Sequence, residues 1–278
     1  MTDIRAVVKS FAEASSPGAV VLDVGCGLRP YELFFDHAKY IGVDVPNSGR
    51  ESEGKRPDFE FDGIYLPFDD ASFDGVICTE VLEHAVNPDA LLKEINRVLK
   101  PSGRLLITVP FIWGLHELPY DFRRYTEVGI RAAVEAAAFT VVEQRKLNPG
   151  LAAIQMLISS ETNFYLKHVA PAHQSLLTRC LLRLQNRLLR CVYFIWKHCL
   201  QFERIYIDNM LLARKSSENG LVESDANASN SNVERVSIPV SALLQDKSVR
   251  FVEKTTSGQE HRAKLNMVKT ALKGLIGK

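Results

Sequence analysis

The sequence lacks any cysteine pair at C-x-x-C spacing. Its five cysteines, Cys26, Cys78, Cys180, Cys191 and Cys199, are scattered and odd in number. Disulfide scaffolds belong to small secreted chains, so an unbridged protein in a reducing cytoplasm is expected. There is no uncharged apolar run long enough to cross a bilayer. Residues 1–9 include Asp3 and no apolar stretch, so no secretory signal is read there. An excess of one charge is lacking too: 34 Lys and Arg face 33 Asp and Glu, which leaves +1 with histidine neutral. Domains that hold nucleic acid by bulk charge are clearly basic, so no nucleic-acid partner is expected. Internal repeats are absent, and no bound metal is expected.

What the chain does have is a globular composition. Its 278 residues, 46% of them apolar, suffice for one large domain, or one domain with an appendage. Residues 4–14 read as a short helix closed by Ser15-Ser16-Pro17-Gly18. Residues 19–24 form a continuous apolar run, as expected of a strand buried on both faces of a parallel sheet. Further strands are expected at 40–45, 59–62, 75–79, 104–110 and 140–144. Leu91, Leu92, Ile95, Val98 and Leu99 recur at helical spacing and predict a helix over 89–99, stopped by Pro101-Ser102-Gly103. Another helix is expected over about 127–138. Strands alternating with helices imply βαβ units, and hence a doubly wound α/β domain. Past Pro149-Gly150 the pattern is helical only, until a last strand at 205–213. Residues 216–235, rich in Ser, Asn, Glu and Asp, read as a disordered linker. Residues 236–278 read as a poorly defined tail ending in a basic amphipathic helix.

The strongest local signal is Val21-Leu22-Asp23-Val24-Gly25-Cys26-Gly27, a buried strand running into a Gly-x-Gly turn. Glycines there admit unusual backbone angles and let a ligand approach the main chain. In open parallel sheets, ligands bind at the carboxyl ends of the strands. A dinucleotide fingerprint would place a third small residue at position 30. Pro30 stands there instead, after bulky Leu28 and Arg29, and suits the first turn of a helix from Tyr31. Asp44 ends the second strand about 20 residues past the turn, where an acidic side chain meets ribose hydroxyls. Asp62, followed by Gly63, ends the third strand and is placed to accept from an adenine amino group. Each acid also has a plain reading, as a turn or loop residue. Cys26 is read as a small filler of the turn rather than a nucleophile.

These residues resemble the class I S-adenosylmethionine (SAM)-dependent methyltransferases, of the methyltransferase type 11-like kind. The resemblance rests on VLDVGCG, IGVDV, Leu66-Pro67-Phe68 with FDGVICTEVLEH, and LLKEINRVLKPSGRLLITVP, in that order. It covers about 20–144 and resumes at 205–215. It implies a seven-stranded, mostly parallel sheet with an antiparallel last strand and a helical insertion at about 151–203, the domain spanning 1–215. It implies SAM as cofactor, with Asp23, Gly25, Cys26 and Gly27 shaping the methionine end. Asp44 would then hold the ribose, Asp62 and Gly63 the adenine, and Thr79 and Glu80 the sulfonium side.

Methyl transfer from a sulfonium is an in-line displacement, so the protein chiefly supplies proximity and orientation. A base is needed only for a hydroxyl or a protonated amine acceptor. The segment after the fifth strand, from His116 to Thr126, is dense in polar and aromatic groups and is the expected acceptor side. Similar segments occur in methyltransferases of polysaccharide and cell-envelope biosynthesis. His116 is the first candidate base, against a loop histidine bonded to backbone. His84 either faces the acceptor or packs at a helix start. Tyr120 and Tyr125 are candidate pocket walls. Arg123 and Arg124 are candidate grips for a carboxylate or phosphate, against an ion pair with Asp121 or Glu117.

A small-molecule, glycan or lipid-linked acceptor is expected, with peripheral membrane contact through 174–202 or 261–278. Arg179, Arg183, Arg187, Arg190 and Lys197 form a basic stripe beside apolar residues in the first of these segments. A cap over the catalytic domain, with arginines in solvent, is the alternative. A SAM-binding module without turnover, or a nicotinamide dehydrogenase, remains as a rival function.

Overall fold

The computed structural model describes residues 2–46, 57–166, 176–196 and 204–216. The expected linker at 216–235, apart from Ser216, and the tail at 236–278 with its basic helix lie outside the described residues.

The chain opens with α1 (Thr2–Glu13) and β1 (Val20–Val24), all five of whose residues are buried. Then follow β2 (Lys39–Asp44), the short β3 (Phe59–Glu60) and β4 (Phe73–Thr79). Helix α2 (Pro88–Val98) leads into β5 (Leu99–Pro110). Its start is chemically explicit: the Asn87 side chain accepts from Ala90 N at 3.1 Å, and proline occupies the first turn. Next come α3 (Glu127–Ala136), capped by Thr126, and β6 (Phe139–Leu147). Helices α4 (Leu151–Phe164) and α5 (Leu176–Trp196) precede β7 (Asp208–Lys215).

The strands form one seven-stranded sheet in the order β3-β2-β1-β4-β5-β7-β6. Strand β7 is antiparallel to both β5 and β6, while the other pairs are parallel. This is the doubly wound α/β architecture expected from the sequence. Period-two alternation explains the two cores. Leu22, Val24, Val76, Leu105 and Ile107 turn to the face covered by Leu92 and Ile95 of α2 and Val134 of α3. Val21, Ile77 and Leu106 turn to the other face, against Val8 and Phe11 of α1. Phe68 sits edge-on to Phe59 and Phe73, at 5.4 and 4.9 Å between ring centroids.

Two local expectations are corrected. The helix expected from Tyr31 is a single 3₁₀ turn, Glu32–Phe34, with no side-chain cap. Arg29, at φ 58°, bends the chain, and its guanidinium holds Glu32 at 2.8 Å and Asp58 at 2.6 Å. The chain is thereby turned directly toward β2. Strand β5 begins at Leu99, so Pro101-Ser102-Gly103 lies inside it rather than merely ending the helix. Phe73 pairs with Leu99 and Gly75 with Arg104, so the residues between bulge out of the ladder. Proline offers no N–H there and Ser102 sits at φ 62°.

The chain runs from β1 outward through β2 and β3, then returns to place β4 on the other side of β1. The strand order reverses between β1 and β4, the point at which such sheets hold a ligand crevice outside the carboxyl ends of their strands.

Candidate active site

Asp23 lies near the end of β1 and is 1% exposed. The Tyr40 hydroxyl donates to its Oδ2, while its Oδ1 has no hydrogen-bond partner. Burial raises its pKa to about 7, against the lowering effect of Tyr40. The end of β1 thus holds a carboxylate with an unmet acceptor. Gly25 follows at φ 74°, and a Cβ there would overlap Val81 Cγ2. Gly27, at φ 51°, has nothing within 4 Å of a built Cβ, so open space adjoins its main chain. Asp44 joins this turn to β2: its Oδ2 accepts from Gly27 N at 2.8 Å and its Oδ1 from Val45 N at 2.7 Å. Cys26 is 2% exposed and packs against Gly42, and burial pushes its thiol up. It fills the turn.

Asp62 lies farther along the crevice, after β3. Its Oδ1 accepts from Ile64 N and Tyr65 N at 2.8 and 2.7 Å, which shapes the turn holding Gly63 at φ 89°. Thr79 ends β4, buried and close to the Tyr31 side chain. Glu80 sits at φ 55°; its N–H donates to Thr108 O at 2.9 Å and its Oε1 accepts from Thr108 Oγ1 at 2.8 Å. Asp23, Gly25, Gly27, Asp44, Thr79 and Glu80 therefore stand at the carboxyl ends of β1, β2 and β4. An unmet buried carboxylate oxygen and an open glycine turn fit a cofactor with hydroxyl and amino groups.

Residues 114–125 lie over the turn that follows β4. Phe122 N donates to Glu83 O at 3.0 Å, and His84 Nδ1 donates to Tyr120 O at 2.8 Å. Arg123 donates to Ala85 O. His84 and His116, far apart in sequence, meet edge-to-face at 4.8 Å between ring centroids. Burial lowers the pKa of His116, which favours the neutral ring. Tyr120 and Phe122 are exposed and edge-on to one another. Tyr125 packs on the core, and burial raises its hydroxyl to about 12.

Arg124 does not present a free fork to a substrate. Its guanidinium holds both oxygens of Asp121, at 2.5 and 2.8 Å, and reaches the Trp113 and Gly114 carbonyls. Arg123 also donates to backbone, and of the two expected readings Arg124 makes the ion pair with Asp121, a clasp within the segment. The Arg124 hydrogen bond holds Asp121 down at about 2. A lowered carboxylate stabilises the fold above its unfolded value of about 3.9, and that stability is lost as pH falls. Asp121→Asn is therefore expected to be less stable than wild type near neutrality. The gap in denaturation midpoint should close between about pH 4 and 2; a constant gap would contradict the clasp.

Three groups escaped sequence reasoning. Tyr40 reads as a core strand residue, yet it donates to Asp23. Glu83 reads as a surface acid beside His84, yet it is 0% exposed. Asp208, at the start of β7, is also buried, and burial together with Glu80 raises its pKa. Only the closing of β7 against β5 brings Asp208 to the site.

The sheet order with its antiparallel seventh strand, and the glycine turn and acids at the carboxyl ends, define a class I methyltransferase fold. Residues 22–107 match the family described as "Methyltransferase domain". Over residues 22–107 the chain is thus similar to methyltransferase domains, and its sheet has the class I methyltransferase order. It is 36% identical over 122 residues to a demethylmenaquinone methyltransferase of Beutenbergia cavernae, covering 40% of this chain and 50% of that protein. It is 30% identical over 122 residues to the Mus musculus protein named "Probable tRNA methyltransferase 9B", covering 42% and 27%. The chain therefore spans half or less of the length of these curated relatives. Among solved structures, the [4+2]-cyclase SpnF superposes with a TM-score of 0.50 at 20% identity, covering 77% of this chain and 81% of that one. That likeness concerns the fold alone.

Proposed function

We propose that the protein transfers a methyl group from SAM to a small-molecule acceptor. The observation that carries this reading is the cluster at the carboxyl ends of β1, β2 and β4: the unmet Asp23 oxygen, the glycine turn open at Gly27, and Asp44. Asp44 would accept from the ribose hydroxyls while its other contacts hold the Gly27 amide. Asp23, Gly25, Cys26 and Gly27 would bound the methionine end. Asp62 and Gly63 would meet the adenine, and Thr79 and Glu80 would line the sulfonium side. When bound, SAM supplies an activated methyl group. The protein's own residues orient it, exclude water and hold the acceptor beneath residues 114–125.

A small molecule is favoured over RNA by the charge balance of +1. The Beutenbergia relative is named for a small-molecule substrate. The test is incubation with SAM and a panel of phenolic, sugar and nucleic-acid acceptors, followed by S-adenosylhomocysteine release. Turnover with small molecules supports the reading. Turnover confined to RNA would replace it, and SAM binding with no turnover would favour a regulatory module.

One observation favours a lipid-linked or glycolipid acceptor within this reading. Leu181, Leu184, Leu188 and Val192 of α5 are exposed, each roughly half or more, beside exposed Arg183 and Arg187. An apolar stripe flanked by cations suits a membrane interface. No helix among the described residues is long and apolar enough to cross a membrane. Anionic vesicles are expected to co-sediment the protein, and Leu188→Asp to weaken that association several-fold. Equal binding by variant and wild type would remove α5 from any lipid contact.

A further inference from the structure

We propose that Glu83, His84 and His116 bind a divalent transition-metal ion, held by two imidazoles and one carboxylate. The three residues each offer a donor atom within 4.8 Å of the others. Glu83 is 0% exposed, and neither of its carboxylate oxygens has a hydrogen-bond partner; Nε2 of His84 is likewise buried and unpartnered. Buried polar atoms are nearly always satisfied, and a bare buried carboxylate is costly unless something positive meets it. Here three lone-pair groups converge with no donor among them.

The histidines are prepared as ligands. His84 Nδ1 faces Tyr120 O at 2.8 Å, and His116 Nδ1 faces Gly114 O at 3.2 Å. A carbonyl only accepts, so both Nδ1 atoms carry the proton and both Nε2 atoms present lone pairs. A backbone carbonyl fixing the far nitrogen is the usual support of a metal-binding histidine. His84 Nε2 lies 3.7 Å from Glu83 Oε1, a gap that two metal–ligand bonds of about 2.0–2.1 Å can bridge, while the full set spans up to 4.8 Å and closes on an ion by a turn of the partly exposed His116 ring. Glu117 Oε2, 4.0 Å from His84 Nε2, is a further oxygen within reach.

The electrostatics agree. The buried Glu83 carboxylate faces mostly like charge. Of the charged groups acting on it, Glu80 and Asp208 are acidic, and the Arg124 guanidinium is bound to Asp121. The pocket therefore calls for a proton or a cation. Two nitrogens and one oxygen favour Zn²⁺ and its first-row neighbours over Mg²⁺ and Ca²⁺, which prefer oxygen throughout. His116 then serves as a ligand rather than as a free base. Three protein ligands leave positions for an acceptor hydroxyl, whose pKa a cation lowers. That last role rests on the methyltransferase reading; metal binding itself does not.

The test uses tag-free full-length protein, stripped with a chelator and titrated with Zn²⁺ alone, and with Co²⁺ as a spectroscopic stand-in. One equivalent is expected to bind, with d–d absorption showing imidazole and oxygen donors. His116→Ala, at a partly exposed position, should weaken Zn²⁺ at least a hundredfold while keeping a cooperative melt. Glu83→Gln should do the same if it folds. Absence of stoichiometric binding, or full affinity in the folded His116→Ala variant, would overturn the site. SAM is titrated in parallel. Metal binding without SAM binding would support this site and sink the methyltransferase reading. SAM binding without stoichiometric Zn²⁺ would do the reverse.

Discussion

Asp44→Ala is expected to weaken SAM binding by more than tenfold, with the fold retained. A carboxylate at the end of β2 accepts two hydroxyl hydrogen bonds without strain, and bonds to a charged group contribute about 1.5–3 kcal/mol each. A tenfold loss corresponds to only about 1.4 kcal/mol, so removing even one such bond suffices. Asp44 has a second duty, since it also holds the Gly27 and Val45 amides. Alanine therefore loosens the glycine turn as well as removing the ribose contact. Asp44→Asn keeps the shape but turns one acceptor into a donor, and an intermediate loss is expected. Calorimetric titration with a thermal melt on each variant checks this. Unchanged affinity in a folded Asp44→Ala protein would take Asp44 out of the site.

Gly25→Ala is expected to abolish measurable SAM binding and to lower stability by about 2–5 kcal/mol, from two sources. A left-handed conformation costs an L-residue about 1–2 kcal/mol, and Gly25 sits at φ 74°. Overpacking a filled site costs a further 1–3 kcal/mol or so, and the new Cβ would meet Val81 Cγ2. The double variant Gly25→Ala/Val81→Ala separates the two, because it removes the overlap and leaves the backbone strain. It should recover part of the stability, read from denaturant midpoints. A Gly25→Ala protein that melts and binds SAM like wild type would show that the turn tolerates a side chain.

The centre of the sheet was legible in the sequence because β1, β2 and β4 are mostly apolar runs, buried almost throughout and punctuated by glycine and proline. The 3₁₀ turn after Pro30 was not, because Arg29 just before it is held by Asp58, a partner that only the third strand brings near. The bulge in β5 was not, because Pro101-Ser102-Gly103 punctuates a helix end and a strand irregularity in the same way. Asp23 and Gly25 stand at a glycine turn and Asp44 at a strand end, so local pattern shows their positions in the fold, while the bond from the Gly27 amide to Asp44 needs the sheet. Tyr40, Glu83 and Asp208 act through contacts across the sheet or beneath a loop, which no local pattern records. His84 and His116 were each visible singly. Their meeting depends on residues 114–125 folding back over the turn after β4, and on the Asp121–Arg124 clasp that holds it there.

The central claim, that the crevice at β1 and β4 is a SAM site, is tested most directly by calorimetric titration of the purified protein with SAM, S-adenosylhomocysteine and NAD. Saturable one-to-one binding of the first two, with no heat from NAD, is the predicted result. Binding of NAD alone would contradict the account and restore the dehydrogenase reading.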